Sequence, residues 1–370
     1  MPEIDPSLIA QRVLWLGFLL GAVFGALARR THFCTMGAVA DIVAMGDWAR
    51  MRMWVLAIAV AILGFNGMVA LGWVEAGKSI YAAPRLPWAS AALGGLMFGA
   101  GMVVASGCGS RNLVRLGGGN LKSLVVLLVL GLSAFATMKG ITASLRVATI
   151  DRLAVDLPAG QDLPSLLAQA TGTATPVAAG ALGALVALAL LAWVLRRPEG
   201  RGAMVWLGGV GIGAVIVALW WVSGVAGHLA EDPNTLEEAF LGTNSRRMEA
   251  LSAVAPVAYA MEWLLYFSDA SMRLTMGITA IAGIVAGAAV VALWQREFRL
   301  EGFANASDTG HHLAGAALMG VGGVLALGCT VGQGLSGVST LSLGSLIALA
   351  GILAGARLGL HYQEWRLDRG

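Results

Sequence analysis

The sequence predicts an all-α polytopic membrane protein, and three observations lead to this fold class. Hydrophobic residues make up 58% of the 370 residues, and charged residues only 12%. The mean hydropathy is +0.77. Glycine accounts for 51 residues without a collagen-like period, which is typical of close helix packing and of broken helices. Together these values exclude a soluble enzyme, a disordered chain and a nucleic-acid-binding protein.

Nine stretches are apolar over about 20 residues, the length that a membrane-crossing helix needs. We expect the first of them to stay in the mature protein, because the N-terminus lacks the basic start of a cleavable signal peptide. Within it, Gly17, Gly21 and Gly25 are spaced by four residues and predict a helix-packing face. The predicted spans are Leu8–Ala28, Trp54–Trp73, Trp88–Gly107, Leu121–Lys139, Thr175–Leu195, Ala203–Val225, Leu274–Trp294, Leu313–Gly328 and Leu341–Leu360.

Four further apolar segments are too short to span and are predicted to be re-entrant or interfacial helices. They are Phe33–Trp48, Cys108–Gly117, Leu251–Phe267 and Cys329–Val338. The stretch Ala143–Gly172 is mixed in charge and holds two prolines, so we expect an extramembrane excursion with a short amphipathic helix.

Two parts of the sequence resemble each other at a constant offset of 221 residues. Gly94–Gly101 leads to Cys108 as Gly315–Gly322 leads to Cys329. The number of spans between them gives the copies opposite directions, which predicts an inverted repeat of the kind found in secondary transporters. Within one domain, 1–370, we assign 8–139 to the first repeat, 203–360 to the second, and 140–202 to a connector with one span. Chance similarity between glycine-rich spans is the alternative.

The three cysteines each follow a predicted helix break. Three thiols are too few for a disulfide framework, and buried cysteine is often a plain packing residue. A half-helix that begins at a break, however, presents unpaired N–H groups that attract anions, and a neutral thiol adds a weak S–H donor. We therefore predict an anion path through the breaks. Its candidate residues are Cys34, Gly107, Cys108, Gly109, Ser110, Arg111, Gly328, Cys329 and Thr330.

Other chemistry is weakly supported by the sequence. No Cys-x-x-Cys or His-Glu-x-x-His motif is present, so neither a metal site nor a cofactor is predicted. Arg111 and Arg115 share a helix face and suit the attraction of an anion to the inner mouth. The same two residues also suit an ordinary cytoplasmic excess of basic residues.

The cysteine contexts resemble the signatures of a known family. Gly25–Ala38 resembles the first signature of the YeeE/YedE family of bacterial thiosulfate transporters, Gly99–Arg115 the second and Gly320–Gly334 the third. The resemblance implies an inner-membrane protein of two pseudo-symmetric halves with an hourglass shape. It also implies that thiosulfate passes a constriction lined by the three cysteines, and that a TusA-like sulfurtransferase receives sulfur in the cytoplasm. One departure is Pro256, which stands where the second repeat would match Cys34.

Three functional hypotheses follow. The leading one is a transporter, and not an enzyme, that takes up thiosulfate or another sulfur or selenium compound. The second is a membrane sulfurtransferase in which a cysteine forms a persulfide, for which His32 and Arg111 are the nearest activating groups. The third is a structural subunit whose thiols only fill the core. The expected partners are the thiosulfate ion, the lipid bilayer and the TusA-like protein, with no nucleic acid.

The distribution of basic residues predicts the orientation. With nine spans, fifteen of the 24 Lys and Arg residues lie on the side opposite the N-terminus. Because cytoplasmic loops carry the excess of basic residues, the N-terminus should lie outside and the C-terminus in the cytoplasm. A reporter that matures only in the cytoplasm should give signal when fused to Gly370 and stay dark when fused to Met1. The reverse pattern would overturn this topology.

Overall fold

The computed structural model describes residues 5–233, 235–269 and 271–367. The two chain ends, whose sides the basic residues predict, fall outside these ranges. The described chain is a helical bundle with two small two-stranded sheets. Its helices are α1 (Pro6–Thr31), α2 (Thr35–Met45), α3 (Ala49–Ala70), α4 (Trp88–Val104), α5 (Gly109–Gly117), α6 (Leu121–Lys139), α7 (Ile141–Ala148), α8 (Leu163–Thr171), α9 (Thr175–Leu195), α10 (Ala203–Trp221), α11 (Val254–Leu265), α12 (Met276–Trp294), α13 (Ala306–Leu325) and α14 (Leu343–Leu367).

The multi-pass membrane fold is confirmed. Within the described ranges, eight helical stretches are long and apolar enough to cross a membrane, and they coincide with eight of the nine predicted spans. The ninth, Leu313–Gly328, falls on α13, whose first turns carry Asp308, His311 and His312 and are too polar for that criterion. Because α13 packs along both α4 and α6, we retain it as a predicted span.

The four short apolar segments form short helical pieces, as expected. Phe33–Trp48 contains α2, Cys108–Gly117 contains α5, and Leu251–Phe267 contains α11. Cys329–Val338 contains a π-helix at Gly332–Gly337. None of these pieces exceeds 12 residues, or about 18 Å of helix, so none can cross the hydrocarbon core alone.

The strands hold extramembrane loops together. The strands are β1 (Arg85–Leu86), β2 (Val155–Asp156), β3 (His228–Leu229) and β4 (Ala239–Phe240). β1 pairs antiparallel with β2, which fixes the predicted excursion at Ala143–Gly172 against the loop before α4. β3 pairs antiparallel with β4. The expected short helix of the excursion is α8, which buries Pro164 and Ala168.

The long helices pack in pairs, each made of one helix from the first half of the chain and one from the second. α1 packs along α12 while α10 packs along α3, and α4 packs along α14 while α13 packs along α6. α4 and α13 also contact each other. α9 packs against α3 at the edge of the bundle. The helices that carry the cysteine breaks, namely α1, α4 and α13, therefore each contact at least two other long helices.

Glycine allows these helices to approach backbone to backbone. On α1, a Cβ added at Gly21 would lie 2.1 Å from the carbonyl oxygen of Ala280, and a Cβ at Gly25 would lie 2.1 Å from that of Ile284. On α12, Gly283 faces the carbonyl oxygen of Phe18 in the same way. The packing face predicted from the glycine spacing is confirmed, because a side chain larger than hydrogen does not fit there.

We expect Gly21→Ala to destabilise the protein and Gly67→Ala to serve as its control. Both glycines lie in long helices, where alanine alone favours the helix, but a Cβ at Gly67 meets no atom within 4 Å. Gly21→Ala must push α1 away from α12, which costs about 1–3 kcal/mol of unfolding free energy for an overpacked site. Thermal denaturation of the purified proteins in detergent measures the difference. Equal midpoints for the two variants would contradict this account of the packing.

Candidate functional site

The three cysteines follow helix breaks of one and the same geometry. Two residues before each cysteine, the chain adopts the left-handed conformation, with φ of 53° at His32, 55° at Ser106 and 56° at Leu327. Such a residue ends a helix, although glycine is its usual occupant. The next N–H then bonds the carbonyl five residues back, at 3.1 Å after His32 and at 2.8 Å after each of the other two. At each break, one N–H group after the helix is therefore bonded back to that helix before the cysteine begins the next helical segment.

Two of the thiols accept a hydrogen bond from the backbone that follows. The N–H of Gly37 donates to Cys34 Sγ at 3.2 Å, and the N–H of Gly332 donates to Cys329 Sγ at 3.3 Å. Cys108 differs, because its Sγ lies 3.3 Å from Ser110 Oγ. An S–H donor remains available where the sulfur accepts an N–H. All three cysteines are buried and free of disulfides.

Cys34 and Cys108 face one narrow cavity. Its volume is about 10 Å³, close to the least that holds one water molecule. The polar part of its lining consists of these two cysteines with Thr35, Ser110 and Arg111. The apolar part consists of Phe24, Ala28, Phe33, Val114 and Val331. We call this cavity the constriction, because it has room for no more than about one water molecule.

A wider cavity of about 440 Å³ adjoins the constriction, and Arg111 lines both. We call it the inner vestibule. Its basic residues are Arg29, Arg111, Arg115, Lys122 and Arg299, and its carboxylates are Glu297, Glu301 and Asp308. Two ion pairs neutralise part of this charge, Arg29 with Glu297 at 3.2 Å and Lys122 with Asp308 at 2.7 Å. The vestibule therefore keeps an excess of positive charge.

The cations nearest to the constriction lack carboxylate partners in the described part of the chain. Arg115 donates to the carbonyl oxygen of Ser106 at 2.8 Å, on the break before Cys108. The Nε of Arg111 is buried and has no hydrogen-bond partner among the described residues. An unneutralised guanidinium at the end of a low-dielectric passage attracts an anion more strongly than one in water does.

A second polar group lies beside Cys329, and two of its three residues, Tyr81 and Ser252, were not predicted from the sequence. A Cβ added at Gly332 would lie 2.8 Å from Ser252 Oγ and 3.4 Å from Tyr81 Oη. These two hydroxyls and that of Thr330 are buried without a hydrogen-bond partner in the described ranges. We call Tyr81, Ser252 and Thr330 the hydroxyl cluster. Burial raises the pKa of Tyr81 well above its ordinary value, so this phenol keeps its proton and can donate it to a ligand.

The structure brings together some of the sequence-predicted residues and not others. Cys34, Cys108, Ser110 and Arg111 line the constriction, whereas Cys329 lies outside it, two residues before the lining residue Val331. The remaining predicted residues are buried around the breaks: Gly107, Gly109, Gly328 and Thr330.

Sequence reasoning missed Tyr81 and Ser252 for different reasons. Tyr81 stands in an irregular loop between α3 and β1, where no periodic signal marks it. Ser252 lies in the segment predicted to match that of Cys34, but the repeat points to Pro256 rather than to the start of that segment. In the described chain, no group of three or more His, Cys, Asp or Glu side chains is arranged to hold a metal ion.

Comparison with known proteins identifies the family. The family model described as "Sulphur transport" matches residues 30–358, which include all three cysteine breaks. The chain belongs to the sulphur transport family. Curated relatives extend over nearly all of this family member. It is 25% identical to the thiosulfate transporter TsuA of Escherichia coli over 347 residues, which cover 92% of the chain and 91% of the relative.

Two further relatives are similar to this member of the sulphur transport family. The thiosulfate transporter TsuA of Spirochaeta thermophila is 25% identical over 360 residues, covering 91% of the chain and 94% of the relative. The probable transporter YedE of Salmonella typhimurium is 34% identical over 100 residues, covering 26% of the chain and 23% of the relative. The names of these relatives indicate transport rather than catalysis.

One acidic residue of the nearby extramembrane loop makes stability depend on pH. Burial raises the pKa of Glu249 from 4.5 to about 7, although hydrogen bonds from Ser245 and Asn244 oppose the shift. The folded state therefore binds a proton more tightly than the unfolded state does. The protonated Glu249 therefore adds to the free energy of unfolding. This contribution is complete below about pH 4.5 and is lost as the pH rises through about 7.

Glu249→Gln should remove this contribution. Between pH 5 and pH 8 the wild type should lose about 1–3 kcal/mol more unfolding free energy than the variant does. Unfolding midpoints in detergent at both pH values measure this difference. Glu231→Gln, at an exposed site of the same loop, should leave the pH dependence unchanged. An identical pH dependence in the wild type and the Glu249 variant would contradict the assignment.

Proposed function

We propose that this protein takes up thiosulfate into the cytoplasm. The observation that carries the proposal is the constriction at the head of a cationic vestibule. Two free thiols meet there with the Arg111 guanidinium, which has no carboxylate partner among the described residues. Thiosulfate is a small dianion with three oxygens and one exposed sulfur. Its charge suits the vestibule and its terminal sulfur suits contact with a thiol. The names of the two full-length relatives support the same substrate.

The proposed path begins at the hydroxyl cluster. There, Tyr81 and Ser252 donate to the oxygens of the anion while the Cys329 thiol meets its sulfur. The next donors are the thiols of Cys34 and Cys108, and Arg111 then draws the anion into the inner vestibule. Each contact is weak or shared, which suits transport because the anion must leave a site as readily as it enters.

Buried hydroxyls without partners support the outer end of this path. An unpaired buried hydroxyl costs about 1–3 kcal/mol, and native proteins satisfy most such groups. A hydroxyl cluster beside a helix break is therefore expected to have an external acceptor during the working cycle. An oxyanion supplies several acceptor oxygens at once, whereas the sulfur of a neutral thiol is only a weak acceptor.

We further propose that residues 8–139 and 203–360 are inverted repeats joined by the connector 140–202. The reciprocal packing of α1 on α12 and of α10 on α3 supports this assignment. The left-handed residues Ser106 and Leu327 support it as well, since they share the offset of 221 residues. A pseudo-twofold relation predicts a substrate site where the halves meet. The constriction is lined by nine residues of the proposed first repeat and by Val331 of the second.

The proposed location is the bacterial inner membrane, with the N-terminus outside and the C-terminus in the cytoplasm. The inner vestibule opens on the side that holds most of the basic residues, so the orientation makes it the exit. A TusA-like sulfurtransferase is the proposed acceptor at this exit. Loss of its binding to the Arg299→Glu variant, measured against the wild type, would support that docking site.

A second candidate function is a membrane sulfurtransferase. Arg111 lines the constriction together with Cys34 and Cys108, and a cation near a cysteine favours a reactive thiolate. In that reaction a cysteine thiolate attacks the terminal sulfur of thiosulfate, a Cys–S–S bond forms, and sulfite leaves with the electron pair of the broken S–S bond. The relay requires no such covalent step.

Replacement of the cysteines tests the path. Cys34→Ala, Cys108→Ala and Cys329→Ala should each reduce thiosulfate uptake about tenfold or more, since losing one donor contact weakens binding by roughly that factor. Protein levels should change little, because a thiol contributes modest packing energy. Uptake of labelled thiosulfate into cells measures the effect. Thr171→Ala, on the exposed end of α8, is the control, and full uptake by a cysteine variant removes that residue from the path.

The Cys108→Ser variant separates the relay from covalent catalysis. A hydroxyl can still donate to a passing oxyanion, so the relay predicts more uptake than in Cys108→Ala and less than in the wild type. The sulfurtransferase predicts that serine is as inactive as alanine. It also predicts a persulfide of about +32 Da on the wild-type protein after thiosulfate exposure. Intact-protein mass spectrometry that detects this adduct forming and decaying at the turnover rate would reject the relay.

A further inference from the structure

A cavity of about 720 Å³ lies at the end of α9, away from the constriction and the vestibule. It lies between the start of α3 and the chain that follows α9. Its lining consists of Trp48, Arg52, Trp193, Arg196, Arg197 and Glu199. Neither the family resemblance nor the proposed path uses these residues.

The floor of this cavity is held in place by aromatic and cationic contacts. The rings of Trp48 and Trp193 meet edge to face, with their centroids 6.1 Å apart. The guanidinium of Arg52 lies over the Trp193 ring at 4.5 Å. An edge-to-face ring pair with a guanidinium over one ring forms a preorganised surface rather than a set of mobile side chains.

The carbonyl oxygens at the end of α9 already accept hydrogen bonds from arginine side chains. Arg52 donates to the carbonyl oxygens of Trp193 and Val194 at 2.7 and 3.1 Å, and Arg201 donates to that of Leu195 at 3.1 Å. The negative end of the helix dipole is thereby shielded. An anion in the cavity would therefore not be repelled by the end of the helix.

Two arginines at the cavity remain unpaired. Arg52 pairs with Glu199 at 3.5 Å, which leaves no carboxylate of the lining for Arg196 and Arg197. Both are exposed, and neither side chain has a hydrogen bond or an ion pair within the described ranges. The cavity thus carries two free positive charges above a fixed aromatic floor.

The surroundings of the cavity indicate which anion it meets. α9 is apolar and lies at the edge of the bundle, with Leu185 and Leu188 more than 60% exposed. Such a surface faces acyl chains in a membrane. The cavity stands at the end of this helix, where Trp48 and Trp193 belong to the interfacial aromatic belt. Its opening therefore lies at the level of the lipid headgroups.

We propose that this cavity binds the phosphate headgroup of an anionic phospholipid, such as phosphatidylglycerol or cardiolipin. Arg196 and Arg197 hold the phosphate, and the acyl chains lie along the exposed face of α9. A basic pocket between helices near the membrane surface is a known way to select anionic lipid. The bound lipid joins α9 to the start of α3 and so fastens the peripheral connector helix to the transport bundle.

Native mass spectrometry of the purified protein in detergent tests the proposal. Titration with phosphatidylglycerol should give bound lipid at concentrations where phosphatidylcholine gives none. Two charges that are each worth about fivefold near an anionic surface predict roughly 25-fold weaker binding in the double variant Arg196→Gln/Arg197→Gln. Each single variant should lose about fivefold. The control Arg246→Gln/Arg247→Gln removes the same charge from an exposed loop and should bind as the wild type does.

Three outcomes would overturn the proposal. One is equal binding of the two lipids by the wild-type protein. Another is equal loss of phosphatidylglycerol from the Arg196/Arg197 and Arg246/Arg247 variants, which would indicate a general charge effect. The last is full displacement of phosphatidylglycerol by millimolar inorganic phosphate, which would mark the cavity as a site for a soluble anion. The single variants keep the test decisive if the double variant does not fold.

Discussion

A helix that ends inside a bilayer leaves backbone N–H and C=O groups that hydrocarbon cannot satisfy, and this constraint shapes the centre of the protein. Each break before a cysteine satisfies this constraint with a left-handed residue and a hydrogen bond back to the preceding helix. At Cys34 and Cys329 the sulfur then accepts an N–H from the next piece. These two thiols therefore stabilise their breaks, and for both the proposed transport role and the structural role fall on the same sulfur atom.

The breaks meet only because the helices that carry them approach closely. Gly21 and Gly25 let α1 touch the backbone of α12, and Gly94 and Gly322 do the same between α4 and α13. Lipid provides no hydrophobic force that would drive helices together, so close contact between small residues is what holds such a bundle. This packing brings Cys34 and Cys108, which lie on different breaks, to one cavity of about 10 Å³.

Positive charge increases along the proposed path, from the hydroxyl cluster to the vestibule, and this draws an entering anion inwards. Around Cys329 the polar groups are neutral hydroxyls, the constriction holds two thiols and one guanidinium, and the vestibule holds five basic residues against three carboxylates. Ion pairs in the vestibule limit the excess charge, so an anion is attracted without being trapped. The proposed lipid site uses the same chemistry at the bundle edge, where a headgroup rather than a diffusing anion meets the arginines.

The sequence by itself determined the membrane class, eight of the nine spans, the packing glycines and the position of every cysteine at a break. These features depend on hydrophobicity and on local backbone conformation, which neighbouring residues encode. Only the tertiary structure decided that Cys34, Cys108 and Arg111 share the constriction while Cys329 lies beyond Val331. It also revealed Tyr81 and Ser252, because residues from separate loops become neighbours only when distant helices pack, and no local pattern records that contact.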